Sequence, residues 1–356
     1  VVALKQGRFH KVFGFRFQRM FAPTVAVVAL ILILVAWLQP QTVVRKQILL
    51  GTFVQIKVYG NGVEQMDRAV SAAFAEIQRV QRQFSRAGDG LLGRLNQAPP
   101  GSQVQLSEEL WRLLEQAQQI NALSQGSFDV TMGALQDLWG FVEDWQGEGT
   151  VPSNEQIDTW LQSPRGVLLK EGQRAARLSE ATQVDLGGIA KGYAVDRAVE
   201  VLKQHSIQAG LVDAGGNVRV FGRAPGTLQT WFQARPFLIG VQHPRDLERL
   251  LGGLTMGEDQ AVATSGDYQR FFEVDGVRYH HILNPHTGRP ARQLIQCTIL
   301  APTAVEADAL STAVFVMGPK AGLEWVERLP GVEAVLVAAD GEVLASSGLE
   351  ASGFIF

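Results

Sequence analysis

The stretch VDLGGIAKGYAVDRAVEVLKQHSIQAGLVDAGGN, Val184 to Asn217, holds a strand end, a glycine-rich loop, an amphipathic helix and a second strand. Asp185 and Lys191 lie in the loop, and the second strand ends in Asp213 and a glycine pair. Val195, Val199 and Leu202 recur at helical spacing, so the helix Tyr193 to His205 is expected to pack on the sheet containing Ala209 to Ala214. Gly187, Gly188 and Gly192 surround Lys191 just before that helix, an arrangement suited to cradling a pyrophosphate with backbone amides and a helix N-terminus. A tight structural turn explains the glycines equally well, and the lysine less easily. The loop is neither a Walker loop nor a dinucleotide fingerprint, since G-x-x-x-x-G-K-[ST] and G-x-G-x-x-G are both missing.

Toward the N-terminus, Met20 to Leu38 carries no charge over nineteen positions, about the span of a bilayer core. Lys5, Arg8, Lys11, Arg16 and Arg19 precede it, which by the positive-inside rule puts residues 1–19 in the cytoplasm as a basic tail. The segments expected are then an anchor at 20–38, a polar linker at 39–47, and the main folded domain at 48–356 outside the cytoplasm, on the inner (plasma) membrane. Val35-Ala36-Trp37-Leu38-Gln39 is a poor cleavage site, which favours an uncleaved anchor. Seven of the 32 basic residues and no acid precede Gln47, leaving 25 basic and 35 acidic side chains and a formal charge of −10 beyond it. Such a domain repels polyanions, which argues against a nucleic-acid partner. The single Cys297 excludes an internal disulfide and a cysteine metal site and reads as a buried strand residue.

Ile48 to Tyr59 alternates and reads as one strand, broken by Gly60-Asn61-Gly62. Met66, Val70, Phe74, Ile77, Val80 and Phe84 mark a helix, and a second helix starts behind Ser107 as cap and stops at Gly126. Between them, residues 85–100 read as a loop. Asp129 between Phe128 and Val130 needs a partner if buried. Ser153 and Gln156 form a capping box for a short helix, and Ala176 to Leu186 reads as a hairpin that delivers Asp185 to a strand end. Asp275-Gly276 is a two-residue turn signal, so counting outward pairs Val274 with Val277, Glu273 with Arg278, Phe272 with Tyr279, Phe271 with His280 and Arg270 with His281. His280 and His281 must then point to opposite faces, and at most one meets a ligand. The flanking stretches Ala263 to Asp267 and Asn284 to Pro290 could border one cleft. Val332 to Phe356 reads as strands joined at Asp340-Gly341.

Ala301 to Pro319 is a helix with a Thr303/Glu306 capping box and a Gly318-Pro319 stop. Asp308 and Thr312 lie four apart on one of its faces, with Ser311 beside them. Hard oxygen ligands without thiol or imidazole suit Mg²⁺ or Ca²⁺, with phosphate completing the shell. Satisfaction of Asp308 by backbone amides or an arginine is the competing reading.

Five motifs in order, DLGGIAKGYAVD (Asp185 to Asp196), DAGGN (Asp213 to Asn217), ATSGDY (Ala263 to Tyr268), HILNPHTGRP (His281 to Pro290) and APTAVEADALST (Ala301 to Thr312), resemble the ApbE family. The resemblance covers about residues 48 to 345. It implies a mixed α/β (α+β) fold of the tunnelling type with FAD in a cleft. It also implies Mg²⁺-dependent FAD:protein FMN transfer, with FMN passing to a Thr or Ser hydroxyl of a target protein and AMP leaving. Carried over residue by residue, Asp308, Thr312, Ser311 and the Gly188 carbonyl match magnesium positions. Leu50, Phe84, Ser127, Phe128, Asp129, Asp185, Lys191 and Ile282 match FAD contacts, and His281 matches the family's histidine, the candidate base. The implied partner is a flavin-accepting membrane redox subunit. Asn284 stands where the family usually has Asp, His286 where Arg is common, and Leu50 where Met is frequent. The loop after Phe84 is longer than usual. An FAD pyrophosphatase using water, and a protein that only binds FAD, are the competing functions.

Overall fold

Exposure alternates along Gln41–Leu49, so the first strand begins inside the segment read as a linker. The computed structural model describes residues 40–142, 145–170, 172–226 and 233–352. β1 (Gln41–Leu49) and β2 (Thr52–Gly60) form a hairpin, correcting both the linker over 39–47 and the single strand over Ile48 to Tyr59. Its turn has positive φ at Leu50 (55°) and Gly51 (70°), which suits the twist of a two-residue hairpin. Leucine is rarely found at such φ, so the turn carried no local signal. The anchor expected at 20–38 and the tail before it lie outside the described residues. Among the described residues no helix is long and apolar enough to cross a membrane.

The helix read from Met66 to Phe84 is α1 (Val63–Gln83), with every apolar position named for it buried. The stretch expected as loop holds a short helix, α2 (Leu91–Gln97), and β3 (Val104–Gln105) follows beyond it. Next come α3 (Glu108–Leu123), capped by Ser107 Oγ on the Leu110 amide at 3.2 Å, then α4 (Gly133–Leu138) and α5 (Asn154–Gln162), which carries the Ser153/Gln156 capping box. Gln125 and Gly126 end α3 at positive φ, and the Gly126 amide donates to the Asn121 carbonyl at 2.8 Å. β4 (Val167–Lys170) and β5 (Ala175–Leu178) form a small sheet with β3. The hairpin expected over Ala176 to Leu186 is therefore displaced. Asp185 lies beyond the strand, with its amide donating to the Val130 carbonyl at 2.7 Å.

α6 (Ala190–Gln204) begins three residues before the expected Tyr193 and is followed by β6 (Ala209–Ala214) and β7 (Asn217–Phe221). The ribbon β8 (Phe237–His243) and β9 (Asp246–Met256) precedes β10 (Ala261–Gly266). The hairpin β11 (Phe271–Val274) and β12 (Val277–His280) has the register deduced from its turn. After the two-residue strands β13 (Leu283–Asn284) and β14 (Arg289–Pro290) come β15 (Leu294–Ala301), α7 (Ala304–Met317), α8 (Pro319–Val326), β16 (Glu333–Ala338) and β17 (Val343–Ala345). Ser347–Ser352 closes the described chain as α9, a helix where strand was expected.

Among the described residues, eight strands form the main sheet in the order β1-β2-β6-β7-β10-β15-β16-β17. On one face, α1, α6 and α7 bury the large core, to which Ala261 and Ala263 of β10 turn. On the other, the β8–β9 ribbon covers Val218, Val262 and Val335. Alternate residues of one strand thus serve different layers, as the pleat requires. Eleven of the fourteen α7 residues are buried, so each polar group on this helix must find a partner within the fold. Cys297 is fully buried in β15, and that burial pushes its thiol pKa up, as expected of an inert core residue.

Candidate active site

The helix α7 carries Asp308 into the base of a cleft. Asp308 is 3% exposed, its Oδ2 accepts from the Gly192 amide at 2.9 Å, and its Oδ1 lies 3.3 Å from Lys191 Nζ. Part of the competing reading is thus realised, because a backbone amide and a cation already satisfy this carboxylate. Each carboxylate oxygen keeps a further lone pair, so the pairing leaves acceptor capacity for a ligand. Lys191 Nζ also donates to the Gly187 carbonyl at 3.0 Å, which closes the glycine loop over its own helix start.

The α6–α7 junction is held a second time by Asp196, 7% exposed. Its carboxylate accepts from the amides of Ala304 and Val305, both at 2.9 Å, and pairs with Arg219 at 2.7 Å. It caps the start of α7 from outside the helix, where the macrodipole favours an anion. Burial, the largest influence, nevertheless raises its pKa against the opposing pull of Arg219. Thr303 Oγ1 accepts from the Glu306 amide at 3.3 Å, but Glu306 receives the Thr303 hydroxyl at 3.1 Å instead of reaching back to the cap amide. The expected capping box is therefore half formed.

The cleft above this junction has a volume of about 1230 Å³, ample for a dinucleotide. It brings together Leu50, Phe84, Ser127, Phe128, Asp129, Asp185, Gly188, Lys191, His281, Ile282, Asp308 and Thr312. Ser311 stands apart: it is 1% exposed and does not line the cleft, its hydroxyl engaged by Ser265 Oγ and the Asp308 carbonyl, both at 2.8 Å. The helix turns it toward β10, one position away from the cleft face of Thr312. Gly188 eases a close approach, since a Cβ there would sit 3.1 Å from the Phe128 ring and 3.4 Å from Thr312 Oγ1, tight enough that a neighbour would have to yield. Asp129 is half-buried and finds its partner locally, accepting from the amide and hydroxyl of Thr131 at 2.7 and 2.8 Å. Of the two loops expected to border the cleft, Ala263 to Asp267 is mostly strand β10 and contributes Thr264 and Ser265, while Pro285 comes from the other.

The two histidines diverge as the register requires. His280 is 4% exposed, its Nε2–H donates to the Ala291 carbonyl at 2.6 Å, and its Nδ1 accepts from the Ile282 amide at 3.3 Å. Burial pushes its pKa down to about 4. His281 is half-buried and lines the cleft. Its Nδ1 lies 3.2 Å from the Arg270 carbonyl, which can only accept, so Nδ1 carries the proton and Nε2 keeps a free lone pair. Burial first, then the charges of His280, Arg270 and Lys191, hold its pKa down to about 3. The ring is therefore neutral at physiological pH.

Arg86 and Gln136 are among the cleft residues that escaped the sequence reading. Arg86 pairs with Asp185 at 3.1 Å and Asp137 at 2.8 Å and donates to the Gly133 carbonyl at 2.9 Å, tying the loop after α1 to the glycine loop and α4. No local spacing reveals such a clasp. Gln136 donates to the His281 carbonyl at 3.0 Å and steadies the hairpin end.

The donor set of Asp308, Thr312 and the Gly188 carbonyl consists of hard oxygens with a single charge. Among the described residues no cluster of three His, Cys, Asp or Glu could hold a metal on its own. That composition suits a hard cation that relies on phosphate and water for the rest of its shell, as Mg²⁺ does, better than an all-protein zinc site.

Residues 50–336 match the ApbE family. The chain is 32% identical to the FAD:protein FMN transferase of Treponema pallidum, over 86% of this chain and 87% of that one. It is 32% identical to that of Escherichia coli K12, over 71% and 72%. Among solved structures, the ApbE protein of Thermotoga maritima superposes with a TM-score of 0.80 at 35% identity, covering 88% of this chain and 99% of that one. The apo flavinyl transferase ApbE of Pseudomonas stutzeri does so with a TM-score of 0.73 at 29% identity, covering 88% and 97%.

Proposed function

The chain belongs to the ApbE family, and from that premise we propose that it is an FAD:protein FMN transferase working in the cleft between α6, α7 and the β11–β12 hairpin. The observation that carries this reading is the convergence of Asp308, Thr312, Lys191 and His281 on one cleft. FAD is the substrate. A Ser or Thr hydroxyl of the acceptor protein forms a bond to the FMN phosphorus, the pyrophosphate bond on that phosphorus breaks, and AMP leaves with the bridging oxygen.

His281 lines the cleft with Nε2 free to accept, and it takes the hydroxyl proton. In the absence of substrate the charges of Arg270 and Lys191 oppose protonation of the ring. Burial contributes most to that opposition, and the two phosphates of FAD offset the share due to the two cations, which raises the basicity of His281. Lys191, held by the Gly187 carbonyl and Asp308, directs its charge at the pyrophosphate. Asp308, Thr312 and the Gly188 carbonyl would hold Mg²⁺, whose chemistry is to offset pyrophosphate charge and stabilise the leaving phosphate. Arg86 fixes Asp185 and so the shape of the glycine loop.

The test is incubation with FAD, Mg²⁺ and a flavin-accepting membrane redox subunit, followed by mass spectrometry of the acceptor. An FMN adduct on a Ser or Thr is expected. Free FMN and AMP without an adduct would replace the reading with a pyrophosphatase, and intact FAD would reduce it to binding.

The proposal extends to location. The uncharged run Met20 to Leu38 with five basic residues ahead of it supports an anchor in the plasma membrane and a catalytic domain on its outer side. Protease added to spheroplasts should digest that domain, whereas full protection would contradict the orientation.

A further inference from the structure

Arg270 stands immediately before β11, directly across the hairpin from His281, whose amide donates to the Arg270 carbonyl at 3.1 Å. Cross-strand neighbours share a face of the ribbon, so both side chains project into the cleft, and both line it. The guanidinium reaches the opposite wall: a Cβ added to Gly51, in the β1–β2 turn, would lie 2.8 Å from Arg270 Nη2. The Arg270 side chain thus reaches from the hairpin to the β1–β2 turn, both of which line the cleft.

The acids around it are already engaged. Asp185 pairs with Arg86 at 3.1 Å, Asp308 with Lys191 at 3.3 Å, and Asp129 accepts from Thr131 at 2.7 Å. Asp267, three residues away, is gripped by Arg245 at 2.6 Å. Among the described residues no carboxylate pairs with the Arg270 guanidinium, although it is half-buried. A cation so placed is completed by an anion from the ligand.

We propose that Arg270 binds the phosphoryl group that is transferred, holding its non-bridging oxygens from the same face of the hairpin as His281. The proposal rests on the reading of the cleft as the site of FMN transfer. A guanidinium fork matches two phosphate oxygens, and partial burial strengthens the pairing relative to water. The geometry also couples two events. Burial is the main influence against a proton on His281, the charge of Arg270 adds to it, and a phosphate seated on Arg270 removes that added part.

The experiment compares the full-length protein with its R270Q and R270K variants, using FMN and riboflavin as probes in fluorescence titrations with Mg²⁺. R270Q should weaken FMN binding by roughly tenfold or more, the loss of a charge-assisted hydrogen-bonded contact, and leave riboflavin affinity unchanged. R270K, which keeps the charge without the fork, should recover part of the loss. Unchanged FMN affinity in R270Q would overturn the proposal, and so would an equal loss for riboflavin, which would mark a purely structural role. Transfer of FMN by the wild-type protein to an acceptor is scored separately, so its failure would sink the transferase reading while the comparison of FMN with riboflavin still decides phosphate binding by Arg270.

Discussion

Replacing Gly192 with alanine should separate α6 from α7 and take the site with it. The glycine is required by proximity, since a Cβ there would stand 2.1 Å from the Ala304 carbonyl oxygen, 2.5 Å from its carbon and 2.8 Å from Asp308 Cβ. Ordinary carbon contacts lie at about 3.5 to 4.0 Å, so the helices must part by more than about an ångström. The Asp196 clasp on Ala304 and Val305 resists that movement, and the movement stretches the 2.9 Å bond from the Gly192 amide to Asp308. Overpacking costs about 1–3 kcal/mol, and weakening a hydrogen bond to a charged group up to about 1.5–3 kcal/mol. The better helix propensity of alanine offsets about 1 kcal/mol. The net expectation is a destabilisation of about 2–4 kcal/mol, a large share of the roughly 5–15 kcal/mol typical of a native protein. Urea unfolding at constant m-value measures it, and FMN transfer should fall because Asp308 is displaced. A change below about 1 kcal/mol, or a stabilised variant with full activity, would refute the close-contact reasoning.

Two further outcomes follow from buried polar groups. For His280, whose pKa burial lowers to about 4, the unfolded chain takes up a proton below its ordinary value near 6.5 and the folded chain does not. Stability therefore falls as pH drops through that window, by about 2 kcal/mol at about pH 5. Denaturation at neutral and acid pH should show the wild type losing about that much more than H280Q, and parallel losses would count against the assignment. Asp308→Asn keeps an acceptor for the Gly192 amide, and Lys191, at 30% side-chain exposure, keeps the Gly187 carbonyl. Its stability should change by about 1 kcal/mol while FMN transfer falls on the order of 100-fold, a split that melting curves and the adduct assay together can check.

Features encoded within a few residues were legible without coordinates. The Asp275-Gly276 turn set the hairpin register and sent His280 and His281 to opposite faces. Ser107 and Ser153 marked helix starts, and four-residue spacing put Asp308 and Thr312 on the cleft side of α7. The same spacing did not decide the direction of Ser311, which turns toward Ser265. The Leu50-Gly51 turn was missed because its first residue is of the wrong type for positive φ.

The glycine loop from Asp185 to Gly192 shows the division. By itself, the sequence determined a cation among backbone-permissive residues at a helix start, since glycine content and helical periodicity are local properties of the chain. Only the tertiary structure decided that Gly192 lets α7 approach, that Asp308 receives both the Gly192 amide and Lys191, and that Arg86 holds Asp185. Those contacts join segments far apart in sequence, and their geometry is set by how helices pack on the shared sheet, which no local spacing records.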